Sequence, residues 1–533
     1  MNRQIRGLAL ILMGCFLVLF VQVNLLQVGQ TSCPGLVAAY DRSGCQQHLN
    51  NDPRNVRAIT RDFSQNRGTV TSADGVVLAK SVPSNDRYKY QRVFPTGSLF
   101  GQITGSFSFT YGASGVEREY NDELSGHTAT QQLRTFSDLF VARDHTGNLT
   151  LTVRDDLQAT ARQALGDKHG SALVLDPKTG AILAMWSNPS YDPNPLSHHD
   201  TPGNPVAKLQ RQALLNAPGD PLLVKPYQEN YTPGSTFKLV TGSTGVQTGK
   251  VTPTNPVYPT ATFYKAPVPY GAPISNFDGE ACGGTLFTIL AQSCNSAFAQ
   301  MGTETIGPRG MVQGADSFGF DGAPPIDLPG PVAESTFRPL TASSSDPARD
   351  FTRDLPILAQ SSIGQADVKA SPLEMALVAS AIANNGTIMA PHVLREVRDA
   401  QGNLVETYPV RTWRSPISAA SAATMRDAMR QVVQSGTATI MQEPGFDVGA
   451  KTGTAEIGTP QHRSNNAWMV AWAGQVGAMP DVVVAVVVPD VPGYGNNSTG
   501  AAVAGPAAHE ILTKALAILH PASGTTPSTT PAN

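Results

Sequence analysis

The chain reads as an α/β protein of the α+β type: a large domain with a central antiparallel sheet flanked by helices, preceded by a small N-terminal domain and one transmembrane helix. Three observations predict this. A mostly apolar run without charges follows two arginines at the N-terminus; β-prone pairs occur at both ends of the region 151–520, with helical stretches between and after them; and a separately patterned block precedes residue 150. A chain of 533 residues is also long enough to hold more than one core.

Arg3 and Arg6 precede the run from Gly7 to Leu26, which as a helix is long enough to cross a bilayer core. The basic flank stays inside, so residues 1–6 are expected as a cytoplasmic tip, 7–27 as the transmembrane anchor and the bulk of the chain as extracytoplasmic at the cell membrane. The apolar stretch exceeds a typical signal-peptide core and no small-x-small site follows it, which favours a retained single-pass anchor. Leu12-Met13-Gly14-Cys15 spells a lipoprotein-like site, but apolar sequence continues to Val23 where a polar tether would begin.

The N-terminal domain is placed at 28–150. Its clearest element is a hairpin, in which Asp74-Gly75 separates Gly68-Thr69-Val70 from Val76-Val77-Leu78. A second block, Tyr111 to Gly126, contains Gly115-Val116-Glu117. The domain 151–520 opens with a helix from Leu157 to Leu165 that Asp155 is positioned to cap. Ser171–Asp176 and Ala181–Ser187 then read as strands joined by Pro177-Lys178-Thr179-Gly180. Downstream, Pro372 to Asn384 is helical, with Leu373, Ala376, Leu377 and Ser380 on one face. Ala467–Gly474 and Asp481–Pro489 read as strands and Pro506–Leu519 as a helix. The Pro-, Thr- and Ser-rich residues 521–533 carry no charge and are expected to be disordered.

Composition excludes some functions. Charged residues make up 15% and the formal net charge is -3, so no broad basic surface is available for nucleic acid. His392 and His462 lack metal-ligand spacing, and neither a metal nor any other cofactor is predicted. Apart from Cys15, the cysteines form two candidate pairs, Cys33 with Cys45 and Cys282 with Cys294; disulfides are permitted outside the cell, and free thiols remain the alternative.

The chemistry-bearing residues lie in three distant pieces. In Thr232-Pro233-Gly234-Ser235-Thr236-Phe237-Lys238 a turn precedes Ser235 and a helix follows. Ser235 and Lys238, three apart, then share a face, and unpaired N–H groups at a helix start favour negative charge on the serine oxygen. To act as a base Lys238 must be neutral, so its pKa has to fall from about 10.4 toward neutrality, through burial and a second cation nearby. Ser293-Cys294-Asn295 adds a hydroxyl that can pass a proton and a carboxamide that can hold an amide. Lys451-Thr452-Gly453-Thr454 adds an ammonium and two hydroxyls for a carboxylate, with Gly453 allowing close backbone approach. The same tripeptide at Lys178-Thr179-Gly180 reads as a decoy, since it sits in a hairpin turn and precedes Ser235.

This set, in this order, resembles that of β-lactamases and penicillin-binding proteins. Gly364-Gln365, Ser371-Pro372-Leu373-Glu374-Met375-Ala376, Ala383-Asn384-Asn385-Gly386 and Ala467-Trp468-Met469-Val470 look like further transpeptidase-domain blocks. Arg67-Gly68 and Gly115-Val116-Glu117 are similar to the pedestal module of class B penicillin-binding proteins, and the whole resembles their actinobacterial A group. Where many relatives have Gly-Gln-Gly, this chain has Gly364-Gln365-Ala366.

The resemblance implies a penicillin-binding, serine β-lactamase-like transpeptidase domain behind a pedestal for dimerisation or partner binding. It implies a peptidoglycan D,D-transpeptidase of cell-wall synthesis, serving cell shape or cell division. Ser235 would attack the penultimate D-Ala carbonyl of a stem peptide and form an acyl-enzyme, as it would with penicillin and other β-lactam antibiotics. Lys238 would be the base, Ser293 a proton relay, the backbone N–H groups of Ser235 and Thr454 the oxyanion hole, Asn295 the holder of the peptide amide, and Lys451, Thr452 and Thr454 the carboxylate ligands beside Gly453. A membrane glycosyltransferase and the division or elongation machinery would be partners. Two other readings stay open: a D,D-carboxypeptidase or β-lactam sensor, and a division-site scaffold with a vestigial pocket. No Glu between Asn295 and Lys451 has an Asn four residues later, the pair with which class A β-lactamases direct water, so fast hydrolysis is not expected.

Overall fold

The sheet at the centre of the larger domain is assembled from strands that lie at opposite ends of that domain's sequence. In the computed structural model, which describes residues 12–20, 63–86, 88–128, 131, 145–201, 203–339, 345–459, 462–493 and 496–521, eleven strands and eight helices suffice to locate the site. Strands β1 (Val70–Thr71), β2 (Val77–Pro83), β3 (Tyr90–Val93) and β4 (Asn148–Leu151) belong to the N-terminal region. Strands β5 (Gly170–Leu175) and β6 (Ile182–Asn188) follow, then β7 (Leu394–Arg398) and β8 (Leu404–Thr407), then β9 (Phe446–Thr459), β10 (His462–Gln475) and β11 (Val482–Pro492). The helices are α1 (Asp155–Leu165), α2 (Lys238–Gln247), α3 (Leu286–Ala291), α4 (Asn295–Gln300), α5 (Pro372–Ala383), α6 (Ala419–Ser435), α7 (Gly500–Val503) and α8 (Gly505–Leu519).

The central sheet runs in the order β9-β10-β11-β5-β6, antiparallel throughout. Helices α1 and α8 pack together on it, and α5 packs on β5, β10 and β11. Covered strands can be apolar at every position, and Val482 to Val488 are indeed all buried. The expected one-sided face of α5 is corrected in the same way. All twelve of its residues are buried, because elements pack around the whole helix, so its sequence is apolar on every side. Ser371 caps it, its hydroxyl accepting from the Glu374 N–H at 3.1 Å.

Helix α1 begins where expected, but its cap differs. The Asp74 carboxylate, from the turn between β1 and β2, accepts from the N–H groups of Asp155 at 3.0 Å and Asp156 at 3.3 Å. The Asp155 side chain is not the cap, because Asp155 is already the first helical residue.

The second sheet, β8-β7-β4-β1-β2-β3, joins the two domains. Strand β4 pairs parallel with β1 and antiparallel with β7, so residues 394–407 complete a sheet begun before residue 150. Asp327 fastens the same junction, accepting from Val393 N–H at 2.7 Å, Leu394 N–H at 2.9 Å and the Tyr120 hydroxyl at 2.6 Å. Within the N-terminal domain Glu117 is fully buried between two arginines, taking Arg67 Nε at 2.6 Å and Arg92 Nε at 2.7 Å. Gly68 is required beside them, since a Cβ there would fall 1.9 Å from the Gly147 carbonyl oxygen.

Residues 12–20 are helical and exposed. The rest of the expected span 7–27, the tip 1–6, Cys33, Cys45 and residues 522–533 of the tail lie outside the described residues. Among the described residues, no helix is long and apolar enough to cross a membrane.

Candidate active site

From Tyr231 to Gly245 every residue except Ser235 is buried. A 3-10 turn, Gly234–Phe237, leads directly into α2, so Ser235 and Lys238 fall on one side, with Lys238 Nζ 3.0 Å from Ser235 Oγ. The turn is set from two directions. Gly234 donates its N–H to the Gly364 carbonyl at 2.9 Å, and a Cβ on Gly364, at φ +76, would fall 2.1 Å from the Gly234 oxygen. On the other side lies β9, the edge strand of the central sheet. A Cβ on Gly453 would fall 2.7 Å from the Pro233 oxygen, and one on Gly234 would fall 3.0 Å from Ala455 N. The nucleophile turn and the strand therefore meet backbone to backbone, which only glycine permits at these positions.

The loop between α3 and α4 supplies the third wall. Ser293 takes φ +56, turning its carbonyl and hydroxyl toward the lysines. Lys238 Nζ lies 2.6 Å from the Ser293 carbonyl oxygen, 2.6 Å from Asn295 Oδ1 and 3.3 Å from Ser293 Oγ. Lys451 Nζ lies 2.8 Å from the same Ser293 Oγ and 3.0 Å from its neighbour's carbonyl, that of Thr452. The sequence-derived residues Ser235, Lys238, Ser293, Asn295, Lys451, Thr452, Gly453 and Thr454 thus form one cluster. Both ammonium groups are buried, while Ser235, Ser293, Asn295 and Thr454 remain partly open.

Burial lowers the Lys238 pKa far below the ordinary lysine value, and the nearby Lys451 charge lowers it further. Burial alone brings Lys451 down to about 7. A neutral lysine has two N–H donors and one lone pair. The Ser293 carbonyl and Asn295 Oδ1 can only accept, so they take both hydrogens and leave the lone pair for the Ser235 hydroxyl. The Asn295 orientation is fixed independently, because its Nδ2 donates to the Ser275 carbonyl at 3.0 Å.

Lys451 is held against the Ser293 loop. Its amine reaches the Ser293 hydroxyl, and along the same strand Thr452 is buried while Thr454 is partly open. Thr454 Oγ1 accepts from Gly500 N–H at 3.1 Å, so its own hydrogen is free to donate. Thr452 Oγ1 lies 2.7 Å from the hydroxyl of Thr437, a residue that no motif or spacing marks in the sequence.

Cys282 and Cys294 form a disulfide, with Cα atoms 5.8 Å apart. It ties the middle residue of Ser293-Cys294-Asn295 to the preceding strand. Asn276 secures the same loop, its Oδ1 accepting from Ser296 N–H at 2.8 Å.

The remaining candidates lie elsewhere. Lys178-Thr179-Gly180 forms the β5–β6 turn, where Lys178 pairs with Asp481 and Thr179 Oγ1 donates to Asp176 at 2.8 Å. His392 is buried and stacked on Tyr408, whereas His462 is exposed at the start of β10. Among the described residues, no group of three potential metal ligands occurs. Ala366 stands at φ +56, a conformation glycine enters more easily.

Comparison with known proteins gives the arrangement its context. The family model for the penicillin binding protein transpeptidase domain matches residues 170–513, and that for the penicillin binding protein A dimerisation domain matches residues 67–149. The peptidoglycan D,D-transpeptidase PbpA of Mycolicibacterium smegmatis is 34% identical, with 97% of this chain and 99% of that protein covered. Penicillin-binding protein A from Mycobacterium tuberculosis, solved as a ceftriaxone acyl-enzyme complex, superimposes with a TM-score of 0.76 at 31% identity, covering 86% of this chain and all of that one. Its penicillin G acyl-enzyme complex gives 0.75 at 32% identity, covering 85% and 100%.

Proposed function

Because the chain belongs to the penicillin-binding protein transpeptidase family, we propose that it cross-links peptidoglycan as a D,D-transpeptidase through an acyl-enzyme on Ser235. The observation that carries this reading is the hydrogen-bond path from Ser235 through Lys238 to Ser293 and Lys451, which offers a base for the nucleophile and a proton for the leaving group.

Lys238 takes the Ser235 proton as Oγ adds to the carbonyl of the penultimate D-Ala. The Ser235 and Thr454 N–H groups hold the oxyanion, and removal of such a donor typically costs about 2.7 to 4 kcal/mol. Collapse breaks the peptide bond, and the proton passes through Ser293 Oγ to the departing amine of D-Ala. The Asn295 carboxamide holds the stem-peptide amide, and the Lys451 amine with the Thr452 and Thr454 hydroxyls holds the terminal carboxylate. An amine from a second stem peptide then attacks the ester, giving up its proton along the same path, and Ser235 is released. With a β-lactam, ring opening leaves the acyl group on Ser235.

Incubation with fluorescent penicillin tests the assignment. The wild-type chain is expected to carry a covalent label through denaturing electrophoresis and Ser235→Ala to carry none. A label persisting on the variant rejects the nucleophile. Release of D-Ala at a rate indifferent to added acceptor amine would favour a carboxypeptidase instead.

The basic flank and apolar run of the sequence support a single-pass anchor at 7–27, with the catalytic domain outside the membrane. The N-terminal domain, roughly 28–150, is assigned to dimerisation or to binding a membrane glycosyltransferase and the division or elongation machinery, and 151–520 to catalysis. Membrane fractionation of the full chain and of a form lacking residues 1–27 checks the anchor.

A further inference from the structure

Thr437 sits between α6 and β9 with its side chain exposed, and its position is set by the wall that carries Ser293. Its N–H donates to the Ala291 carbonyl at the end of α3, at 3.1 Å. The preceding Gly436 passes so close that a Cβ there would fall 2.5 Å from the same oxygen. From this fixed backbone the Thr437 hydroxyl reaches Thr452 Oγ1 at 2.7 Å.

Two hydroxyls in contact share one hydrogen and keep one to spare. If Thr437 donates to Thr452, the Thr452 hydrogen must point elsewhere, and Thr454, already accepting from Gly500, presents its hydrogen in the same way. We propose that Thr437 is a positioning residue for recognition of the substrate carboxylate: its donated hydrogen bond aims the Thr452 O–H at the anion. Beside Lys451, which is held by Ser293, the anion meets oriented hydroxyls, and the Thr437 contact makes one of them a committed donor. The inference deepens the transpeptidase reading and rests on it.

The test compares acylation rates of the full chain by labelled penicillin and by its methyl ester, in which the carboxylate is blocked. The expected result is that Thr437→Val, which keeps the shape and loses the hydroxyl, lowers the ratio of acid to ester rates roughly ten-fold, the scale of a hydrogen bond to a charged group. Thr437→Ser should restore that ratio. A packing defect would slow both reagents alike and leave the ratio unmoved, and an unmoved ratio in Thr437→Val overturns the inference while leaving the acyl-enzyme reading intact. Failure of Thr437→Ser to restore the ratio also overturns it. A wild-type chain that takes no label from either reagent overturns both.

Discussion

The Lys238 amine lies 3.0 Å from the Ser235 hydroxyl, on the side that its two acceptor neighbours leave open. Because the Ser293 carbonyl and Asn295 Oδ1 occupy its hydrogens, the lone pair is left to the hydroxyls, the Ser235 Oγ at 3.0 Å being nearer than the Ser293 Oγ at 3.3 Å. Replacing Lys238 by Met is expected to reduce the rate of penicillin labelling by about 10²- to 10⁴-fold, the range for loss of a positioned base. Stopped-flow or gel-based acylation kinetics measure this. A variant within a few-fold of wild type would remove Lys238 from the mechanism.

The pH dependence follows from the two lysines. Neutral Lys238 is the reactive form, so acylation should fall as pH drops through its lowered pKa. Part of that lowering comes from the Lys451 charge. Lys451→Met should therefore raise the Lys238 value and move the acid limb of the rate profile to higher pH, whatever happens to the plateau. A limb that stays in place would show that Lys451 does not tune the base. A stability effect accompanies it. Folded Lys451 releases its proton at about 7, whereas an unfolded lysine keeps it to about 10.4. The unfolded chain thus binds more protons across that window, and this site's contribution to stability should rise with pH there.

Ser235 and Lys238 were legible because helical spacing brings positions three apart together and two further motifs follow them in order, and Gly453 because a strand touching a turn needs a residue without a side chain. Thr437 was not, since a hydroxyl has no characteristic partner spacing and its contact depends on how α3 and β9 pack. The contact of Lys451 with Ser293 was hidden for the same reason: residue type gives a charge, while only the fold decides which groups it meets. Strands β7 and β8 illustrate the larger version of this limit. The partner of β7, β4, lies some 240 residues earlier in the chain, and β8 joins the sheet through β7; no local pattern encodes which sheet a strand will join. Asp74 replaced Asp155 as the α1 cap through a similar long-range meeting.

The loop Gly364-Gln365-Ala366 supports the nucleophile turn, and its two ends should respond oppositely to exchange. Gly364→Ala would drive a methyl group into the Gly234 oxygen, so acylation should fall while the rest of the fold persists. Ala366→Gly relieves a left-handed alanine, a conformation costing roughly 1 to 2 kcal/mol for a residue with a Cβ, partly offset by the extra freedom of glycine in the unfolded chain. A small gain in stability is expected, read by thermal or denaturant unfolding. A loss in Ala366→Gly would mean that the methyl group packs more favourably than its backbone strain costs.

Glu117 offers a test of the N-terminal domain that leaves the catalytic groups untouched. Burial pushes its carboxyl up, but the charges of Arg92 and Arg67 outweigh this and hold it below the usual value. Glu117→Gln would leave two buried guanidiniums without their counter-ion, and removing one partner of a buried pair typically costs about 3 to 5 kcal/mol. Denaturant unfolding of the N-terminal domain should shift by that order. Because β7 and β8 complete the sheet of this domain, a second readout is available: amide hydrogen exchange in 394–407 should accelerate with it. Acceleration confined to residues before 150 would mean that the shared sheet does not couple the two domains.

The Cys282–Cys294 disulfide closes a short loop beside the groups that hold Lys238. Chain-entropy arguments give about 3 kcal/mol for a loop of this size, so Cys282→Ser should lower stability by up to that amount. Its effect on catalysis should be smaller, because Asn276 and Ser275 hold the same loop through Ser296 and Asn295 independently of the sulfur atoms. Penicillin acylation of the reduced or Cys282→Ser protein is therefore expected within about ten-fold of the oxidised form, the loss equivalent to one hydrogen bond's worth of positioning. A fall comparable to that of Lys238→Met would instead make the disulfide the main support of the Ser293 wall, with the Asn276 contacts secondary to it.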